Sequence, residues 1–236
     1  MAARNYRHSR RNVVKGAGIA AGTMLTLGPR AWAEAAPKED AEAEGKVTPA
    51  EDLMREHAVL NRMLLIYETG LSTGPGSGSP PLKEIGDVAR LIRTFIEEYH
   101  EKLEENYLFP RFEKAGKLAD LVKVLLQQHE AGRRLTAAIL EITSATGNPD
   151  TARLERNIRA FIRMYRPHAA RESTVLFPQI QTVVSPQEYD QMGETFEDIE
   201  HQKFGREGFE GIVANVAEIE KRLRIYDLAE FTPKLT

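Results

Sequence analysis

Residues 100–110 read HEKLEENYLFP and residues 168–178 read HAARESTVLFP. Each begins with histidine, places glutamate four positions later and closes with Leu-Phe-Pro at the eighth to tenth. The phrase recurs after 68 residues, and a second pair of histidines, His57 and His129, recurs after 72. Such a repeat marks a duplicated supersecondary unit. Residues i and i+4 share a helix face with Cβ atoms roughly 5–6 Å apart. His100 with Glu104, and His168 with Glu172, therefore present an imidazole and a carboxylate side by side. Apolar neighbours flank both pairs, Ile96, Leu103 and Tyr107 on one stripe and Phe161, Met164 and Val175 on the other. Both pairs are aimed at a core.

Working outward, apolar residues recur at helical spacing over about 48–71, 82–114, 118–144 and 151–184, and strand alternation is absent. Thr48, Pro49, Ala50 and Glu51 form a capping-box start. Four helices joined by short connections predict an all-α, up-down four-helix bundle over 48–184. Two further helices, about 186–204 and 208–225, predict a C-terminal helical extension over 185–236, packed outside the bundle or across one end.

One of His57, His100, His129 and His168 falls on each bundle helix. An ionised glutamate buried alone costs several kcal/mol, and no Lys or Arg repeats in step with both Glu104 and Glu172. Metal ions supply the missing positive charge. Four imidazole nitrogens and two bridging carboxylates fill about eight coordination positions, and a bridging oxide or hydroxide fills about two more. Two octahedral ions then keep about one open position each, which favours redox-active iron, with manganese and zinc as alternatives. His201 lies in the extension without a repeat counterpart and reads as a surface or interhelical residue.

The chain has 236 residues, of which 42% are hydrophobic and 28% charged, and no cysteine. Thiolate zinc sites, iron–sulfur clusters and thiol nucleophiles are thereby excluded. Six of its 32 basic residues fall in 1–33, where there is no acid, so the remainder carries 26 basic against 35 acidic residues, a formal −9. That balance argues against nucleic acid as a partner. Residues 1–33 read as an export signal: a basic start with SRRNVVK at 9–15, a weakly apolar stretch to Gly28, then Ala31-Trp32-Ala33 for cleavage. Arg10 and Arg11 resemble the pair of a twin-arginine signal, which implies a periplasmic or otherwise extracytoplasmic product without a membrane anchor in its mature form. Residues 34–47 are small, charged and aperiodic, a linker.

The runs EHAVLNR around His57, HEKLEENYLFP, QQHEAGRR around His129 and HAARESTVLFP together resemble the hemerythrin-like HHE cation-binding domain, over about 48–184. The resemblance implies a non-haem di-iron centre with His57, His100, Glu104, His129, His168 and Glu172 as ligands. Oxygen-carrying hemerythrins have a further His where this chain has Arg133, and an Asp where it has Glu172. The pattern looks more like the four-His, two-Glu branch associated with iron–sulfur repair, nitric oxide and peroxide chemistry. Around the ligands, Asn61, Tyr107, Arg133 and Tyr165 lie on the same faces, as hydrogen-bonding neighbours or, for the tyrosines, as core with a wet tip. Arg133 either orients a carboxylate or bound peroxide, or reaches out to the bundle end. Three functions fit: a centre for dioxygen, nitric oxide or peroxide, an iron store or donor including metal-centre repair, and a zinc-stabilised interaction bundle. A redox partner and a turnover reaction are not specified.

Overall fold

The computed structural model describes residues 47–72 and 80–233. The segment read as an export signal, the linker up to residue 46 and the glycine-rich stretch 73–79 lie outside the described residues.

Helix α1 spans Pro49–Ser72. Its capping box forms as the sequence predicts: Glu51 N–H donates to Thr48 Oγ1 at 3.2 Å, and Thr48 N–H donates to Glu51 Oε2 at 3.4 Å. Rod α2 covers 82–115 and ends on Gly116, whose left-handed φ of 63° closes the helix. Helix α3 is Ala119–Ser144. Rod α4 covers 151–182, opened by the Asp150 side chain accepting from Arg153 N–H at 2.8 Å.

Cross-helix pairs fix the direction of each rod. His100 meets Glu56 while Ile85 meets Gly70, so α2 runs against α1. Glu105 meets His129 and Gly86 meets Thr143, which sets α3 against α2. Gln128 with His168 and Glu141 with Arg153 set α4 against α3. Ser173 meets His57 and Phe161 meets Tyr67, closing α4 back onto α1. The result is an antiparallel four-helix ring around Leu53, Leu60, Met63, Ile92, Phe95, Ile96, Leu125, Ile139, Ile158 and Phe161, all buried. Each such side chain contributes roughly 1.5–3 kcal/mol, which outweighs the cost of a polar layer at mid-bundle.

The winding departs from the continuous α-helices that the periodicity predicts. Rod α2 is α-helical over Leu82–Leu91, π-wound over Ile92–His100, α-helical over Glu101–Leu103, π-wound over Glu104–Leu108 and α-helical again over Phe109–Ala115. Rod α4 is α-helical over Thr151–Arg171, π-wound over Glu172–Leu176 and 3₁₀ over Phe177–Thr182. The segments Glu104–Leu108 and Glu172–Leu176 have their cause in the repeated proline. Pro110 and Pro178 lack an N–H, and their rings crowd the carbonyl one turn back. The preceding turn widens, so Phe109 N–H bonds to Glu104 O and Phe177 N–H to Glu172 O, each five residues back. Both glutamates thus sit at the first position of a widened turn.

Beyond the ring, α5 (Pro186–Phe204) and α6 (Gly208–Arg222) lie along the outer side of α1 and α2. Arg62 of α1 grips Glu220 of α6 through Nε at 2.9 Å. Phe204 and Phe209 pack edge-on or tilted against Phe95. No helix among the described residues is long and apolar enough to cross a membrane.

Candidate metal centre

Six side chains from all four rods converge in the buried middle of the bundle. They form two groups, His57 with His100 and Glu104, and His129 with His168 and Glu172, each with its donor atoms within 4.8 Å of one another. Glu104, Glu172 and His129 are fully buried, and His57, at 7% exposure, is the most accessible of the six. The carboxylates bridge between the groups. Glu104 Oε1 lies 3.8 Å from His100 Nε2 and its Oε2 3.4 Å from His129 Nε2. Glu172 Oε2 lies 3.0 Å from His168 Nε2 and 3.3 Å from His57 Nε2.

The imidazoles are held from behind. His100 Nδ1 lies 2.6 Å from Glu56 Oε2, His57 Nδ1 2.8 Å from Ser173 Oγ, His129 Nδ1 3.1 Å from Glu105 Oε1, and His168 Nδ1 2.9 Å from Gln128 Oε1. A ring nitrogen facing a carboxylate or amide oxygen donates its proton there, which leaves the Nε2 lone pairs of His100, His129 and His168 facing inward, while the Ser173 hydroxyl holds His57 as donor or acceptor. His57 and His100 Nε2 then stand 3.0 Å apart, and His129 and His168 Nε2 3.2 Å apart. The facing lone pairs of His129 and His168 repel at that separation unless positive charge lies between them. All four oxygens of Glu104 and Glu172 are buried without a hydrogen-bond donor. Four inward nitrogens and four orphaned carboxylate oxygens make a donor set suited to a pair of hard or borderline cations.

The protonation equilibria point the same way. Burial drives His57 down to about 4 and lowers His129, so both imidazoles stay neutral at neutral pH. Burial and the neighbouring Glu172 charge push Glu104 well above the usual carboxylate range.

The outer partners follow the duplication. Glu56 and Gln128 immediately precede His57 and His129; Glu105 and Ser173 immediately follow Glu104 and Glu172. The aromatic of each Leu-Phe-Pro also has a task. Phe109 stacks on His129 with ring centroids 5.5 Å apart, and Phe177 on His57 at 5.2 Å. None of these six residues was singled out by the sequence reading, although their constant offsets from the repeated histidines and glutamates were visible there.

The neighbours that were singled out are distributed differently. Asn61 is exposed, and the hydrogen-bond partner of His57 Nδ1 is Ser173. Tyr107 is half-buried and turns outward to meet Phe196 of α5 edge-on. Tyr165 is buried three residues before His168 and donates to Glu101 Oε1 at 2.5 Å. The Arg133 side chain forms its hydrogen bonds outside the two groups. Its Nη2 lies 2.7 Å from Glu101 Oε2 and 2.5 Å from Glu105 Oε1, so it orients the carboxylate that holds His129. Burial opposes ionisation of Glu105, but hydrogen bonds from His129, Lys102 and Arg133 win and hold it at about 2. Glu101, more deeply buried, is pushed up to about 8. His201 is half-buried on α5 and belongs to neither group.

The sequence profile of the hemerythrin HHE cation binding domain matches residues 48–180, a span that contains all six converging side chains. Uncharacterized proteins of Mycobacterium bovis and of two Mycobacterium tuberculosis strains are each 44% identical over 235 residues, covering 98% of this chain and 92% of theirs. Their likeness continues through α5 and α6. No solved structure matches the chain. The four-helix ring, the paired His and Glu groups and the profile match agree: this chain belongs to the hemerythrin HHE cation-binding family.

Proposed function

We propose that the chain holds two non-haem iron ions on His57, His100, Glu104, His129, His168 and Glu172, and binds or reacts with dioxygen, nitric oxide or peroxide outside the cytoplasm. The observation that carries this reading is the set of four buried carboxylate oxygens without donors, facing four imidazole nitrogens whose far sides are already occupied. When bound, an iron pair supplies one-electron redox chemistry and vacant positions for a small molecule. The protein's part is to fix the donors. Glu56, Glu105 and Gln128 set the tautomers of three imidazoles and Ser173 holds the fourth, Phe109 and Phe177 fix two ring planes, and the apolar rods exclude bulk water. Export rests on Arg10 and Arg11 within SRRNVVK.

The test is metal content with optical spectra of the purified protein in oxidised and reduced forms, followed by addition of nitric oxide or peroxide. About two irons per chain and a spectrum that changes with each addition support the reading. Zinc alone, or iron that no small molecule perturbs, overturns it. Replacing Arg10 and Arg11 with lysine tests export: the precursor accumulates inside the cell, and unchanged secretion removes the twin-arginine assignment.

A further inference from the structure

A cavity of about 450 Å³ lies in the groove between α1 and α4. Its wall includes His57, the most accessible of the six converging side chains, and Ser173, which holds that imidazole. Met54, Leu64 and the small side chains Ala58, Ala169 and Ala170 give it apolar walls, with Asn61 and Tyr165 as further polar members. Packed helices leave few voids larger than a water molecule. Here three alanines on facing turns leave the space open where a larger residue fills it. Arg166 stands at the rim, and its charge is engaged, Nη2 lying 2.5 Å from Glu68 Oε2. Beyond that ion pair the groove continues into a second cavity of about 480 Å³ lined by Arg159, Arg163 and Arg166, away from the centre. The cavity bounded by Lys117, Val175 and Gln179 and the one bounded by Asp87 and Asn215 include none of the six residues.

We infer that this α1–α4 groove, lined by Ala58, Ala169 and Ala170 and ending on His57, is the route by which small uncharged molecules such as nitric oxide reach the centre. This rests on the function proposed above. Dioxygen and nitric oxide carry little hydration to lose against the alanine, leucine and methionine walls. Ala58 and Ala170 are exposed and Ala169 half-buried, so the floor accepts larger side chains without disturbing the ligand layer.

The experiment fills the groove. Ala58→Phe and Ala170→Phe are compared with the parent and with Ala160→Phe, an exposed position on α4 outside the groove. Metal content and spectra are recorded first, then the rate at which nitric oxide binds the reduced protein in stopped flow. The expected result is association slowed by about tenfold or more in both groove variants, with metal content, final spectrum and the Ala160→Phe rate unchanged. Parental rates in fully loaded groove variants overturn the route. Xenon-pressurised crystals of the protein as purified give a readout independent of reactivity: density over Ala169 and Ala170 in the parent that vanishes in Ala170→Phe supports the route, and its absence from the parent opposes it. A parent without iron or without a nitric oxide response fails the function proposed above instead, and the xenon result still decides the groove.

Discussion

A Cβ atom placed on Gly132 stands 2.1 Å from the Tyr165 hydroxyl oxygen and 2.8 Å from its ring. The tyrosine lies directly over the α3 backbone, and only glycine leaves it room. From there Tyr165 donates to Glu101, which shares Arg133 with Glu105, the residue holding His129. Gly132→Ala therefore displaces the phenol and destabilises the fold by about 1–3 kcal/mol, the range for overpacking a core, despite alanine's better helix propensity. Urea unfolding measures it. A double variant with Tyr165→Leu recovers most of the loss, and simple additivity of the two changes contradicts the proposed clash.

The oxygens behind the imidazoles give a graded prediction. Glu105 fixes His129 with a carboxylate that Arg133 and Lys102 also hold, whereas Ser173 offers His57 a hydroxyl. Groups in such positions are worth about 10–100-fold in metal affinity. Glu105→Ala falls near the upper end of that range and Ser173→Ala near the lower, measured by chelator competition. Equal losses, or none, contradict the graded support.

Much of this was legible in the sequence, and for a physical reason. An i, i+4 pair reports a helix face without knowledge of tertiary structure, so His100 with Glu104 and His168 with Glu172 declared their direction at once. Thr48 and Glu51 declared a helix start in the same way. What stayed hidden depends on two rods at once. Asn61 shares the His57 stripe, yet the contact to the ring comes from Ser173 on α4. Tyr107 shares the His100 stripe, yet α5 draws it outward. The widened turns are not legible there either: in the sequence Pro110 and Pro178 stand out only as part of the repeat, and their steric effect on Glu104 and Glu172 appears only in the traced backbone.

Two carboxyl groups of α2 give opposite responses to pH. Burial raises Asp87, but hydrogen bonds from Lys83 and Arg90 outweigh it and leave it below its ordinary 3.8. Its contribution is present above the unfolded value and disappears as pH falls through the folded one. Arg222 Nη2 also lies 2.8 Å from Asp87, so acid weakens the hold on α6. The group is partly solvated, and the loss is about 0.2–1 kcal/mol. Glu97 is raised from 4.5 by burial, against the charge of Arg93, whose Nε lies 2.9 Å from its Oε2. The folded chain keeps a proton that the unfolded chain releases, so stability is greatest below 4.5 and falls as pH rises through the folded value. Melting curves between pH 3 and 8 separate the two. Asp87→Asn flattens the acid limb, while Glu97→Gln raises Tm near neutrality by about 2–4 °C, the effect of about 1 kcal/mol in a domain of this size.

The junction between bundle and extension rests on a buried charge. Glu220 is 4% exposed, and Arg62 reaches it with both Nε and Nη2. Arg62→Met leaves that carboxylate buried without its cation and costs about 1–3 kcal/mol, less than the roughly 3–5 of a fully buried pair because Arg62 is partly solvated. Replacing both residues with methionine removes the stranded charge and recovers most of the stability. A double variant no more stable than Arg62→Met shows that lost packing, rather than the unpaired charge, dominates.

Metal removal sets the bridging carboxylates against each other. Without cations, Glu104 and Glu172 face one another at the bundle centre with four unsatisfied oxygens, and burial together with Glu172 pushes Glu104 strongly toward its protonated form. Chelation is therefore expected to lower Tm, by an amount that follows the linkage between free metal and affinity. Glu104→Gln together with Glu172→Gln abolishes the charges and the bridging donors at once. That protein binds less than one metal per chain, and its metal-free form melts above the metal-free parent. Calorimetry with and without chelator, beside metal analysis, gives both quantities. Equal melting of the two metal-free proteins means that repulsion and desolvation at these carboxylates are relieved within the fold, and a double variant retaining two metals removes Glu104 and Glu172 from the ligand set.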